Sequence, residues 1–138
     1  MIQPKVIDAS VATKWFLEIE AGREQALAVL DHLKMNPDLY IVPDLFYSEM
    51  VHVLCRIFAD LEKVQACTET LIELGIERFP LDQKALAYAA ELVKKFRLSG
   101  YDAIYAANAK LVGGLWITAD ENAHRKIEKL KISQLLGD

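Results

Sequence analysis

Cysteine, proline and glycine are all scarce in this sequence: two, four and six residues among 138. That scarcity excludes a disulfide-stapled scaffold, a collagen-like repeat and a Pro/Gly-rich disordered chain. Cys55 and Cys67 stand apart, without a Cys-x-x-Cys spacing or a nearby histidine pair, and read as reduced core thiols. No apolar run approaches the roughly 18 residues needed to span a bilayer, and Met1–Val6 lacks the charged and apolar blocks of a leader peptide. A cytoplasmic location with no membrane partner is therefore expected. Positive charge is also short, with 20 Asp and Glu against 16 Lys and Arg and a formal net charge of −4. Such a chain cannot grip nucleic acid by net charge and would need metal ions or local basic patches. Neither a Gly-x-Gly-x-x-Gly after the first strand nor a Gly-x4-Gly-Lys-Ser/Thr occurs, so the backbone cradles for dinucleotides and P-loop phosphates are missing.

What is present is a globular composition, 53% hydrophobic and 26% charged, which predicts one domain over residues 1–138. Short apolar runs at Lys5–Ala9, Tyr40–Val42, Ile76–Phe79 and Leu115–Thr118 read as strands, with Ile132–Leu136 as a closing edge strand. Between them lie helical periodicities. A helix starts at Ser10–Leu17, Gly22 breaks it, and a second stripe follows at Ala26, Val29, Leu30 and Leu33. A long helix opened by Pro43 and Asp44 runs through Phe46, Met50, Val53, Leu54, Ile57 and Leu61. The next covers Glu62–Leu74, with Gly75 as its stop. Then come a helix whose Leu86, Ala89, Ala90, Val93 and Phe96 are apolar, an Ala-rich helix Tyr101–Val112 ended by Gly113 and Gly114, and a basic-ended helix from Asp120 to Lys129. Alternation of this kind gives an α/β fold with a mostly parallel sheet, whose site lies beyond the carboxyl ends of the strands at the point where the topology reverses.

Acids occupy that edge. Asp8 sits among Val6, Ile7, Ala9 and Val11, where an uncompensated charge is costly. Asp120 follows the strand Leu115–Thr118, while Glu49 and Asp102 lie near helix starts. Each has a plain local reading as well. Asp8 and Asp120 fit helix N-caps, Ser99-Gly-Tyr-Asp102 fits a capping box, and Glu49 fits a partly solvated residue near a favourable helix end. Asp82, which also precedes a helix after an apolar strand, is assigned only a capping role. Gathered together without matching Lys or Arg, the four would repel one another unless a hard divalent cation, Mg²⁺ or Mn²⁺, neutralised them. Carboxylate-held metal can activate water and stabilise a phosphoryl group during displacement, which is the chemistry of phosphodiester hydrolysis.

The same residues carry a family resemblance. Val6-Ile-Asp-Ala-Ser10 with Lys14-Trp15, Pro43-Asp-Leu-Phe-Tyr-Ser-Glu49, Leu98-Ser-Gly-Tyr-Asp-Ala-Ile-Tyr-Ala-Ala-Asn-Ala109 and Ile117-Thr-Ala-Asp120 together resemble the PIN-domain ribonucleases of VapC type, over nearly the whole chain. The resemblance implies a three-layer α/β/α domain with a mostly parallel sheet of four to five strands and a divalent-metal site of Asp8, Glu49, Asp102 and Asp120. It also implies RNA as substrate, a small antitoxin as partner, and a homodimer. Ser10 and Thr118 match accompanying family hydroxyls and also fit ordinary caps. Glu121 could join the site but reads better as a solvated first-turn Glu, and Asn108 fits either the family pattern or simple packing.

Candidate basic contacts are Lys14, Arg97, Arg125 and Lys126; Tyr47, Tyr101 and Tyr105 fit either base stacking or the core. His32, His52 and His124 form no ligand pair and no nucleophile motif. Two other classes compete with the ribonuclease. A catalytically silent PIN-like protein- or RNA-binding domain has no need of a repulsive acid cluster. A phosphotransfer receiver wants paired acids after its first strand and a lysine after a late strand, and Leu115–Ala119 contains no lysine. Setting the four acids aside leaves 16 charges of each sign, so the remaining chain is formally neutral.

Overall fold

The computed structural model describes residues 3–138; Met1 and Ile2, at the start of the segment read as lacking a leader, lie outside the described residues. Five strands form one parallel sheet: β1 (Lys5–Ile7), β2 (Tyr40–Pro43), β3 (Glu77–Phe79), β4 (Leu115–Thr118) and β5 (Ser133–Leu135), in the order β3-β2-β1-β4-β5. The helices are α1 (Ala9–Ala12), α2 (Arg23–Met35), α3 (Leu45–Ile57), α4 (Leu61–Glu73), α5 (Gln83–Phe96), α6 (Gly100–Val112) and α7 (Glu121–Ile127). The chain steps from β1 to β2 and β3 in one direction and from β4 to β5 in the other. Right-handed crossovers then place α1–α4 on one face and α5–α7 on the other, giving the expected α/β/α layers.

Central strands are buried on both faces, as a parallel sheet requires, and Val6, Ile7, Val42 and Trp116 are fully enclosed. The first strand stops at Ile7 because Asp8 turns the chain into α1, its Oδ2 accepting from Ser10 N–H at 2.9 Å. Ser10–Leu17 is therefore one short α-turn followed by a 3-10 turn at Thr13–Trp15.

Two sequence readings are corrected. The helix from Asp44 ends at Ile57, and Leu61 is the exposed first residue of α4, because Asp60 caps a new helix by accepting from Glu62 N–H at 3.0 Å. The apolar residues of α5 divide between two faces: Ala85, Ala89 and Leu92 are buried, whereas Leu86, Ala90 and Val93 face outward. Cys67 is buried as expected, yet Cys55 lies on the outer flank of α3, next to inward Leu54.

Gly114 shows how tightly the middle of the sheet is closed. Leu115 N–H donates to Pro4 O at 3.0 Å to start the β1–β4 pairing, and a Cβ on Gly114 would lie 2.1 Å from that carbonyl oxygen. Gly114→Ala should lower stability by about 1–3 kcal/mol, read from denaturant midpoints, because backbone must move to admit the methyl. Gly75→Ala offers a contrast: its Cβ would meet nothing, so its cost comes only from the left-handed backbone, φ 63°.

Candidate active site

Because β1 feeds one half of the sheet and β4 the other, their adjacent carboxyl ends form the switch point at which α/β sheets open a crevice. The two loops there are bolted together. Asp8 N–H donates to Ile117 O at 3.0 Å, Ala119 N–H donates to Ser10 Oγ at 3.0 Å, and Asp120 N–H donates to Thr118 Oγ1 at 3.0 Å. Ser10 and Thr118 thus fix the backbone that carries Asp8 and Asp120. Glu49 comes from the second turn of α3, and Asp102 from the first turn of α6, whose N–H is capped by Ser99 Oγ at 3.0 Å.

All four acids line one open cleft of about 420 Å³, together with Ser10, Thr13, Lys14, Glu20, Val53 and Arg56 among others. Capping and convergence turn out to coexist. Asp8 and Asp120 do cap α1 and α7, with Asp120 Oδ1 accepting from Ala123 N–H at 3.0 Å, and still line the cleft. Asp82 caps α5 through Ala85 N–H at 3.0 Å and has no part in it.

The electrostatics are those of crowded like charges. Burial raises the Asp8 carboxyl, partly offset by hydrogen bonds from Ser10 and Trp116 and reinforced by Asp120. Asp102 is raised to about 6, first by burial and then by Asp8 and Asp120. Burial, with Asp8 adding to it, lifts Glu49 as well. Beneath the cleft, Trp116 Nε1–H donates to Asp8 Oδ1 at 3.1 Å, and the Tyr105 ring stacks on Trp116 with centroids 6.2 Å apart.

The donor set is oxygen-only, and Glu49 Oε1 is buried with no hydrogen-bond partner among the described residues. These features fit a hard divalent cation. Among the described residues, no group of three or more His, Cys, Asp or Glu side chains is drawn close enough together to hold a metal ion by itself. A cation here would keep water in several positions, as Mg²⁺ ordinarily does.

The other sequence candidates divide sharply. Lys14 lines the cleft, its Nζ donating to Glu20 at 3.2 Å and to Ala21 O at 2.7 Å. Arg97, Arg125 and Lys126 do not; Arg125 pairs with Glu121, and Lys126 donates to Arg97 O at 3.1 Å. Glu121 is accordingly the solvated first-turn residue expected. Buried Asn108 packs inside α6 with neither amide atom partnered among the described residues. His32 meets the Tyr40 hydroxyl at 2.7 Å, and His124 meets the Ser133 hydroxyl at 2.8 Å. Sequence reading missed Arg56, an exposed cation in the cleft that makes no ion pair among the described residues. The spacing Glu49, Val53, Arg56 on one helical face was the signal for it. Trp116 was missed as well, although strand alternation sets it on the same face as Thr118.

A family model described as PIN domain matches residues 5–130. Comparison with curated proteins finds no match. Among solved structures, FitAcB from Neisseria gonorrhoeae is similar at 16% identity and TM-score 0.72, with 96% of each chain covered. A toxin-antitoxin complex from Klebsiella pneumoniae is similar at 16% identity and TM-score 0.68, covering 94% of this chain and 95% of that one. VapBC2 from Rickettsia felis bound to a promoter DNA fragment is similar at 12% identity and TM-score 0.71, covering 95% and 97%.

A folded-state carboxyl raised above its ordinary value binds a proton that the unfolded chain has released, so stability falls as pH rises through the interval between the two. For Asp102 that interval runs from 3.8 to about 6. In the presence of chelator, Asp102→Asn should therefore raise the melting temperature by a few degrees at about pH 7.5, and the gain should shrink toward about pH 4.5. Differential scanning calorimetry checks it, and a gain that is independent of pH would contradict the repulsion.

Proposed function

The chain belongs to the PIN domain family, and from that premise we propose that it is a divalent-metal-dependent endoribonuclease hydrolysing RNA phosphodiester bonds, the VapC-like toxin of a toxin-antitoxin pair. Members of this family are generally nucleases and generally use divalent metal ions. The observation that carries the proposal is the convergence in one cleft of four acids, two following β1 and β4 and two on α3 and α6, with the charged forms of Asp8, Glu49 and Asp102 disfavoured by burial and by neighbouring acids.

In this reading Asp8, Asp102 and Asp120 hold Mg²⁺ or Mn²⁺ directly or through water, and Glu49 completes the site or orients the attacking water. When bound, the metal supplies water activation and charge neutralisation at the phosphoryl group. The chain itself contributes rigidity and charge. Trp116 and Ser10 N–H hold the two Asp8 oxygens in place while leaving a lone pair on each. Ser10 Oγ and Thr118 Oγ1 keep the Asp8 and Asp120 loops in register. Arg56 and Lys14 at the cleft wall give an RNA backbone the local positive contacts that the net charge of −4 withholds.

The toxin-antitoxin complexes among the structural neighbours support a small antitoxin as partner. Outward-facing Leu86, Ala90 and Val93 on α5 form an apolar stripe suited to a homodimer. Among the described residues no helix is long and apolar enough to cross a membrane, and the proposed place of action is the cytoplasm.

Asp8→Asn, which keeps one of the two acceptor oxygens, should abolish cleavage of a mixed RNA pool in Mg²⁺ or Mn²⁺ while circular dichroism remains native. Chelator should abolish wild-type cleavage too. Wild-type-like cutting by Asp8→Asn refutes the metal site; a wild type inert with either metal points to the silent binding domain. Arg56→Ala should weaken RNA binding and lower the slope of log affinity against log salt by about 1, measured by fluorescence anisotropy.

A further inference from the structure

Of the three tyrosines that could stack on bases, the structure leaves only one with a free ring. Tyr105 is buried against Trp116. Tyr47 is covered by the Arg78 guanidinium, 4.3 Å from its ring centre, and meets the Phe46 ring edge-on at 5.1 Å. Tyr101 is 62% exposed, and its neighbour in sequence is Asp102 of the acidic cleft. It closes a shelf of about 310 Å³ whose other walls are Leu45, Ser48, Glu49, His52 and Val53 of α3. Glu49 and Val53 also line the acidic cleft, so cleft and shelf adjoin along this stretch of α3.

We propose that this shelf seats the nucleobase flanking the scissile phosphate of a single-stranded RNA, with the Tyr101 ring as its stacking platform. The inference rests on the ribonuclease reading of the adjoining acids and assigns them a substrate subsite. Two features favour a base as occupant. The shelf is mainly apolar, with one exposed aromatic ring, which suits the π-face that every base presents. Its polar groups, the Ser48 hydroxyl and the His52 imidazole, are hydrogen-bonding groups at the wall that can meet a base edge. Stacking tolerates all four bases, so the subsite contributes affinity and places the strand without demanding one sequence.

The test uses the full chain, a fluorescein-labelled RNA decamer and the same decamer carrying abasic sugars. Dissociation constants are measured by anisotropy in Ca²⁺, with cleavage followed on gels in Mn²⁺ and Mn²⁺ affinity by calorimetry. Tyr101→Ala should weaken binding of the ordinary decamer about tenfold, equivalent to about 1.4 kcal/mol at 25 °C, and should raise KM with kcat and Mn²⁺ affinity unchanged. Tyr101→Phe should stay within about twofold of wild type, since the ring and not the hydroxyl makes the contact. The abasic decamer should bind wild type and Tyr101→Ala alike.

Unchanged affinity in Tyr101→Ala overturns the proposal and leaves the shelf to a protein segment, whether or not the wild type cleaves RNA. Equal losses in Tyr101→Phe and Tyr101→Ala, or an equal loss on the abasic decamer, also overturn it. A wild type that binds but does not cut, with binding weakened in Tyr101→Ala alone, keeps the base subsite and refutes the ribonuclease. A wild type that neither binds nor cuts refutes both.

Discussion

Asp8 is a carboxylate at the end of the central strand, 6% exposed and surrounded by apolar side chains. An isolated charge there would cost several kcal/mol, and its partners are an indole N–H, a backbone N–H and three further acids that make the charge harder still to hold. Much of the surrounding architecture accommodates this group. Trp116 has to lie beside β1, which requires β4 to pair with it; Gly114 has to lack a side chain, which lets that pairing begin at Pro4. Ser10 and Thr118 tie the two loops so that repulsion between Asp8 and Asp120 cannot pull them apart.

The cluster therefore trades stability for function in a specific sense. Metal-free, the raised Asp102 carboxyl makes the fold weaker as pH rises toward neutrality, and the proposed divalent cation would remove that cost by favouring the charged forms. The same balance explains how an acidic protein can address a polyanion. The negative excess of four equals the number of acids in the cleft assigned to the metal. In the proposed ribonuclease, with those neutralised, Arg56, Lys14 and the Tyr101 shelf would meet the strand by contacts that act over a few ångströms rather than by a long-range field.

The strand runs, the caps at Asp8, Ser99 and Asp120, the Gly75 and Gly113 stops and the parallel α/β class were all legible in the sequence, because each depends on residues within a turn or two of chain. Errors fell where the deciding partner is distant. On α5, apolar periodicity marks Leu86, Ala89, Ala90 and Val93 alike and cannot say which of two overlapping stripes meets the sheet. Cys55 read as core through composition alone, although one step round the helix from Leu54 is enough to expose it. Arg56 was passed over because its relevance depends on Glu49 already being in a cleft.

Asp82 and Asp120 mark the boundary between the two kinds of information. Both follow a strand, both start a helix, and both accept from the N–H three residues on at 3.0 Å. Their local sequences determine that shared capping role completely. Only the order of strands separates them: β3 lies at the sheet edge, whereas β4 lies against β1 at the switch point, where its following loop faces Asp8. Local propensity, capping and hydrophobic period are set by neighbours in the chain, so the sequence determined the elements and named the acids. Which acids share a cleft, and which tyrosine keeps a free face beside them, is set by crossovers between segments up to about a hundred residues apart, and the tertiary structure alone decided that.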